Sequence, residues 1–196
     1  MNKVKLIQIM VKTRIEIILG CMFSGKSTEL LRRCNRYKAI GKQILLINHK
    51  NDTRTENKIK THNNVTQEAI KINKMSELFT IHSDLLEKAD VIGIDEAQFF
   101  DDLHSFVEKA ESYNKIIIIS GLDGDSNRKP FGEILMCIPL CDEVVKLTAM
   151  DMLSHDGTPA IFTKRISDDT QQVCVGSTDK SVSYTHLRAH ETVDYL

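Results

Sequence analysis

The chain has 196 residues, with 26 Lys and Arg against 27 Asp and Glu and a formal net charge of −1. That length suits one domain with a small appendage, and the charge balance offers no basic field for a nucleic acid or an anionic membrane. Five cysteines, an odd number with no secretory leader before them, favour a reducing, cytoplasmic setting over a disulfide framework. Residues 1–13 scatter Lys3, Lys5 and Lys12 among short apolar pieces and read as an N-terminal extension, with nothing of the length a membrane span needs.

Beyond it, Ile15–Leu19, Ile44–Asn48, Val91–Ile94 and Ile116–Ile119 are short, mostly apolar runs rich in Ile, Leu and Val. Near-continuous apolar runs, rather than alternating ones, mark strands buried on both faces of a parallel sheet. Between them, Ser27–Ile40 places Leu30, Leu31, Cys34 and Tyr37 at helical spacing, with Gly41 where a C-terminal cap belongs. Ser76–Lys88 and Asp101–Tyr113 are amphipathic in the same way, each opening on an N-cap residue. Strand–helix alternation predicts an α/β fold, a mostly parallel sheet flanked by helices, over residues 14–148. Two stretches break the rhythm. Residues 48–64 are polar and predict a loop or an exposed hairpin. From Thr148 onward, short strand pieces at Ala160–Arg165 and Gln171–Val175 with the Asp156-Gly157 turn predict a small second unit over 149–180.

Gly20, Cys21, Met22, Phe23, Ser24, Gly25, Lys26 and Ser27 fit the pattern G-x4-G-K-[ST], with a buried strand before it and a helix after it. In such a loop the glycines let successive N–H groups turn inward around phosphate oxygens, and the helix N-terminus adds partial positive charge. Lys26 has the reach for β- and γ-phosphates, and the Ser27 hydroxyl suits Mg²⁺. The third strand ends in Asp95-Glu96, an acidic pair at the strand end where ligands of open α/β sheets bind. Asp95 would support the metal, and Glu96 would take the proton from an attacking hydroxyl. The expected ligand is therefore ATP with Mg²⁺.

The order GCMFSGKSTELL from Gly20, DEAQFF from Asp95, GLDGDSNRKPFG from Gly121, VKLTA from Val145 and FTKR from Phe162 resembles the type II thymidine kinases, the cellular and poxvirus-like kind, over roughly residues 14–180. The resemblance implies a P-loop kinase fold with a C-terminal lasso, transfer of the γ-phosphate of ATP to thymidine, and a homotetramer. It also implies that Asp52 and Arg54 approach the phosphates and metal, that Asp95 and Gln98 belong to a nucleotide-contacting segment, and that Glu96 is the base. Phe99 and Phe131 fall at aromatic positions near the nucleoside, and Arg165 at a basic position near phosphate. Gln172, Val173, Cys174, Val175 and Gly176 fall in the lasso, which reads the base through backbone groups.

Three departures stand out. The family's zinc-binding cysteine pairs are missing: Asp151 and Ser154 replace the first, and Asp151, His155, Cys174, His186 and His190 match no ligand spacing, so no zinc is expected. Cys137 and Cys141 read as core residues. Ser126 stands where an aromatic ring is usual beside the base. From about Ser181 the resemblance stops abruptly, so residues 181–196 are expected to be a frame-shifted or foreign tail. Two rival readings remain open at this stage. One is a P-loop ATPase of another class, which the Asp95–Gln98 segment superficially fits; the other is a nucleotide-binding homologue that no longer turns over.

Overall fold

The computed structural model describes residues 13–52, 57–60, 65–165 and 181–184. The expectations for residues 1–12, Arg54, Gln171–Val175 with the lasso residues Gln172–Gly176, and residues 185–196 lie outside this set. So do the zinc candidates Cys174, His186 and His190, and the Arg165 side chain.

Six parallel strands make one sheet: β1 (Arg14–Gly20), β2 (Ile44–His49), β5 (Ile70–Ile72), β6 (Val91–Ile94), β7 (Ile116–Leu122) and β8 (Glu143–Leu147), in the order β5-β2-β6-β7-β1-β8. The four expected strands are its centre. Strand alternation sends Ile15, Ile17 and Leu19 to one face and Ile18 to the other, and β7 likewise divides Ile117 and Ile119 from Ile118. Helix α1 (Lys26–Ala39) covers the second face with Leu30, Leu31 and Cys34. Its close approach needs Gly93 in β6, because a Cβ there would lie 2.7 Å from Leu46 Cδ2 and 2.8 Å from Cys34 Sγ. The first face is covered by α3 (Leu103–Ala110), which buries Leu103, Phe106, Val107 and Ala110. Burying each such large apolar side chain stabilises the fold by about 1.5–3 kcal/mol.

The edge strands β5 and β8 were not foreseen. β8 is joined to α1 by an ion network in which Arg33 bonds Glu16 at 2.5 Å, Glu29 at 2.8 Å and Glu143 at 3.0 Å. Helix α1 stops at Ala39, and Gly41, in the left-handed region at φ 84°, donates its N–H to the Lys38 carbonyl. The expected helix 76–88 is divided into a 3₁₀ segment, Met75–Phe79, and a short α2, Ser83–Lys88, because Ile81 between them is 71% exposed and supplies no buried anchor. Asp102 precedes α3 without capping it; its carboxylate accepts the Met75 and Ser76 N–H groups at 2.8 and 2.9 Å.

Of residues 48–64, expected as a loop or an exposed hairpin, Lys58–Lys60 form β3, which pairs antiparallel with β4 (Thr66–Glu68) beyond that stretch. The segment is less solvated than its polarity predicts, since Asn48, His49, Asp52 and Ile59 are buried. Toward the C-terminus, β9 (Ala149–Met150) pairs with β10 (Pro159–Ala160), and β11 (Phe162–Arg165) with β12 (Ser181–Tyr184). Ser183 ties the two pairs together, its hydroxyl donating to the Met150 carbonyl at 2.8 Å and its own carbonyl accepting the Met152 N–H at 3.1 Å. Of the cysteines described, Cys21, Cys34 and Cys137 are buried, Cys141 is half-buried, and all four are free thiols. No helix among the described residues is long and apolar enough to cross a membrane.

Candidate active site

Strand β1 delivers the phosphate loop to the carboxyl edge of the sheet. Gly20 leaves the strand at φ 152°, where a Cβ would lie 2.5 Å from Ser24 Oγ and 2.6 Å from the Leu147 carbonyl, so only glycine fits the turn. Phe23 and Gly25 both take positive φ, 63° and 84°. Helix α1 then starts at Lys26 with no side chain capping it, which leaves its first-turn N–H groups for an anion. The carbonyl of Cys21 accepts both the Lys26 ammonium at 2.7 Å and the Ser24 hydroxyl at 2.9 Å. Desolvation lowers the pKa of Lys26 below the ordinary lysine value, against the pull of Glu96 and Asp95. Met22 and Cys21 are tied to the C-terminal strands: the Met22 N–H donates to Thr163 Oγ1 at 2.9 Å, and Cys21 Sγ to the Ala160 carbonyl at 3.4 Å.

Strand β7 lies between β1 and β6, with Ile18 opposite Ser120 and Ile94 opposite Ile119. That register sets Ser120 beside the end of β6, and its hydroxyl donates to Asp95 Oδ1 at 2.6 Å. Asp95 is 2% exposed and Ser120 fully buried. Sequence reasoning passed over Ser120; a lone hydroxyl closing the run Ile116–Ile119 was the available signal. Hard oxygen donors at Ser27 and Asp95, with Lys26 close by, are the chemistry that Mg²⁺ and phosphate require, so these residues fit the metal.

Glu96 follows in the left-handed region, φ 52° and ψ 38°, an arrangement that costs a non-glycine residue about 1–3 kcal/mol and concentrates at functional sites. Its Oε2 accepts the Gln98 amide N–H at 2.7 Å, and Gln98 Oε1 accepts the Leu122 N–H at 2.9 Å. Phe99 and Phe131 meet edge-to-face, 5.7 Å between centroids, and His49 lies 5.7 Å from Phe99 and 4.8 Å from Phe100. His49, at the end of β2, was not anticipated, although any side chain closing a parallel strand lies at the ligand edge. Its Nδ1 accepts the Asn51 N–H at 3.0 Å, and its Nε2 donates to the Asn73 carbonyl at 3.1 Å.

Asp52 is 3% exposed, rather than solvated as its polar surroundings suggest, and accepts the Asn48 side-chain amide at 2.8 Å. The ammonium of Lys71 donates to its carbonyl. Ser126 is half-buried in the tight 123–130 loop, where Asp125 Oδ1 accepts the Asn127 and Lys129 N–H groups at 2.8 and 3.0 Å. Asp151 accepts the N–H groups of Leu153 and Ser154 at 2.7 and 3.2 Å.

A phosphate-loop motif and an acidic pair, Asp95 buried and Glu96 half-buried, held one strand apart at the same sheet edge, define a P-loop nucleotide-binding enzyme. Residues 13–188 match the family model of thymidine kinase. The chain is 41% identical over 165 residues to the thymidine kinase of vaccinia virus (strain Western Reserve), covering 84% of this chain and 90% of the relative. It is 43% identical over 166 residues to that of Yaba monkey tumor virus, covering 85% and 88%, and 38% identical over 167 residues to that of myxoma virus (strain Uriarra), covering 85% and 90%. The chain belongs to the thymidine kinase family.

Proposed function

We propose that this chain transfers the γ-phosphate of ATP to the 5′-hydroxyl of thymidine, giving dTMP for DNA precursor synthesis, with Glu96 as the base. The observation that carries the reading is the convergence of the phosphate loop, Asp95 and Glu96 at one sheet edge. Residues 20–27 cradle the phosphates; Lys26 leaves the Cys21 carbonyl for the β- and γ-oxygens. Ser27 and Asp95 hold Mg²⁺, which when bound neutralises phosphate charge, and Asp52 and Arg54 approach the same group. Glu96, with Gln98 beside it, accepts the proton of the 5′-hydroxyl as that oxygen attacks in line.

The thymine ring lies against Phe99 and Phe131, with the backbone of Gln172, Val173, Cys174, Val175 and Gly176 reading its edge and Arg165 near phosphate. Ser126 supplies no aromatic face, so the pocket is more open on that side. A cytoplasmic homotetramer without structural zinc completes the proposal; light scattering and metal analysis of the purified protein test those two points. Labelled γ-phosphate should pass from ATP to thymidine and not to deoxycytidine. Glu96→Gln should keep ATP binding and lose about 10²–10⁴ in kcat. Normal turnover by that variant would remove Glu96 as the base. ATP binding with no nucleoside phosphorylated would instead support a homologue that no longer turns over.

A further inference from the structure

We infer that Gln98 is a positioning residue that aims the Glu96 carboxylate, rather than a nucleotide contact. The inference rests on the reading of Glu96 as the base. Both ends of the Gln98 amide are engaged: Oε1 accepts the Leu122 N–H at 2.9 Å, and Nε2 donates to Glu96 Oε2 at 2.7 Å. The side chain therefore links the end of β7 to the reacting carboxylate. It is 3% exposed and has little room to swing toward a ligand.

Its surroundings fix it further. A Cβ at Gly121 would lie 2.7 Å from Gln98 Oε1, and one at Gly132 would collide with the Gln98 carbonyl. Gly132 also sits at φ 62°. Two glycines of the 121–132 segment thus pack against Gln98, Gly121 against its side-chain oxygen and Gly132 against its backbone, where any side chain would displace it. Glu96 needs such a support. Its left-handed backbone carries the carboxylate off the regular path from β6, so the strand alone does not set its direction. A base must lie within hydrogen-bond reach of its proton, and a misplacement of about 1 Å can cost 10²-fold in rate.

The test compares Gln98→Met, matched in length but without a donor, with Gln98→Glu, which keeps the acceptor for Leu122 and sets a second carboxylate against Glu96. Each is measured for kcat and KM, alone and combined with Glu96→Gln, with melting in MgATP as the check on fold. In either variant kcat should fall about 10-fold or more while KM for ATP and thymidine stays within about 3-fold, the signature of an interaction made in the transition state. In the Glu96→Gln background neither change should reduce kcat further, because the group being aimed is gone. A merely structural role would lower activity in both backgrounds. Near-normal kcat in Gln98→Met or Gln98→Glu, or a raised KM for ATP with kcat intact, overturns the inference. Loss of fold in both variants would assign Gln98 to the core and overturn it too. Full activity of Glu96→Gln alone would be a different failure, that of the base assignment.

Discussion

Replacing Ser120 with alanine isolates the contact between the central strand and the buried carboxylate of Asp95. The two groups are 2.6 Å apart, within the short range of a hydroxyl bonded to a carboxylate, and neither is reached by solvent to any extent. A hydrogen bond to a charged group contributes a net of about 1.5–3 kcal/mol, and the alanine offers no replacement donor. The expected loss in the absence of nucleotide and metal is therefore about 1.5–3 kcal/mol, or a fall in melting temperature of roughly 3–12 °C at this chain length. Urea unfolding in chelator measures it. A double-mutant cycle with Asp95→Asn separates the pair from the small cavity, since the alanine change should matter less beside a neutral amide. A loss below about 0.5 kcal/mol, ordinary for a surface substitution, would refute the claim that Ser120 supports Asp95.

Asp102→Ala removes the acceptor for Met75 and Ser76 and should destabilise the fold by about 1–2 kcal/mol, as the loss of a helix cap does; a neutral result in urea unfolding would show that those N–H groups find water instead. His49 gives a pH dependence with a defined sign. Burial lowers its pKa below the ordinary histidine value, although the Asn73 carbonyl and the charges of Asp101, Asp102 and Glu77 oppose this. The unfolded chain then takes up a proton first as the medium is acidified. Its contribution is complete above the unfolded value of about 6.5 and is lost as pH falls through the folded one. Replacing it in His49→Gln should flatten stability against pH below 6.5 by up to one proton; an unchanged slope would count against a neutral His49 bonded to Asn51.

The centre of the fold was legible because its strands are buried on both faces and so are written as short runs rich in Ile, Leu and Val, interrupted only by Glu16 in β1 and Gly93 in β6. The edges were not. β8 reads Glu-Val-Val-Lys-Leu, half-exposed and alternating, and β5 has three residues, too few for a periodicity to show. Helix caps misled in an instructive way. Asp101 was the expected N-cap of α3, but the helix starts one residue later, after Asp102, whose carboxylate serves the N–H groups that tertiary packing brings to it, those of Met75 and Ser76. At the site, the loop at residues 20–27 and the pair Asp95-Glu96 are written as contiguous motifs. Ser120 and His49 join only through strand register, which residue types do not encode locally.

The same distinction explains why local rules fail around Glu96. A non-glycine residue in the left-handed region, a fully buried serine against a buried aspartate, and glycines in β7 and after Phe131 each run against the preference of the element that holds them. Their effects meet on two carboxylates. Asp95 is held from β7 by Ser120, and Glu96 through Gln98 by the Leu122 N–H two residues further along the same strand. One central strand therefore sets both acids, one proposed to face the metal and the other the nucleoside hydroxyl. A shift of β7 relative to β6 would misplace the two together, which is a physical reason for it to lie between the phosphate-loop strand and the acidic strand.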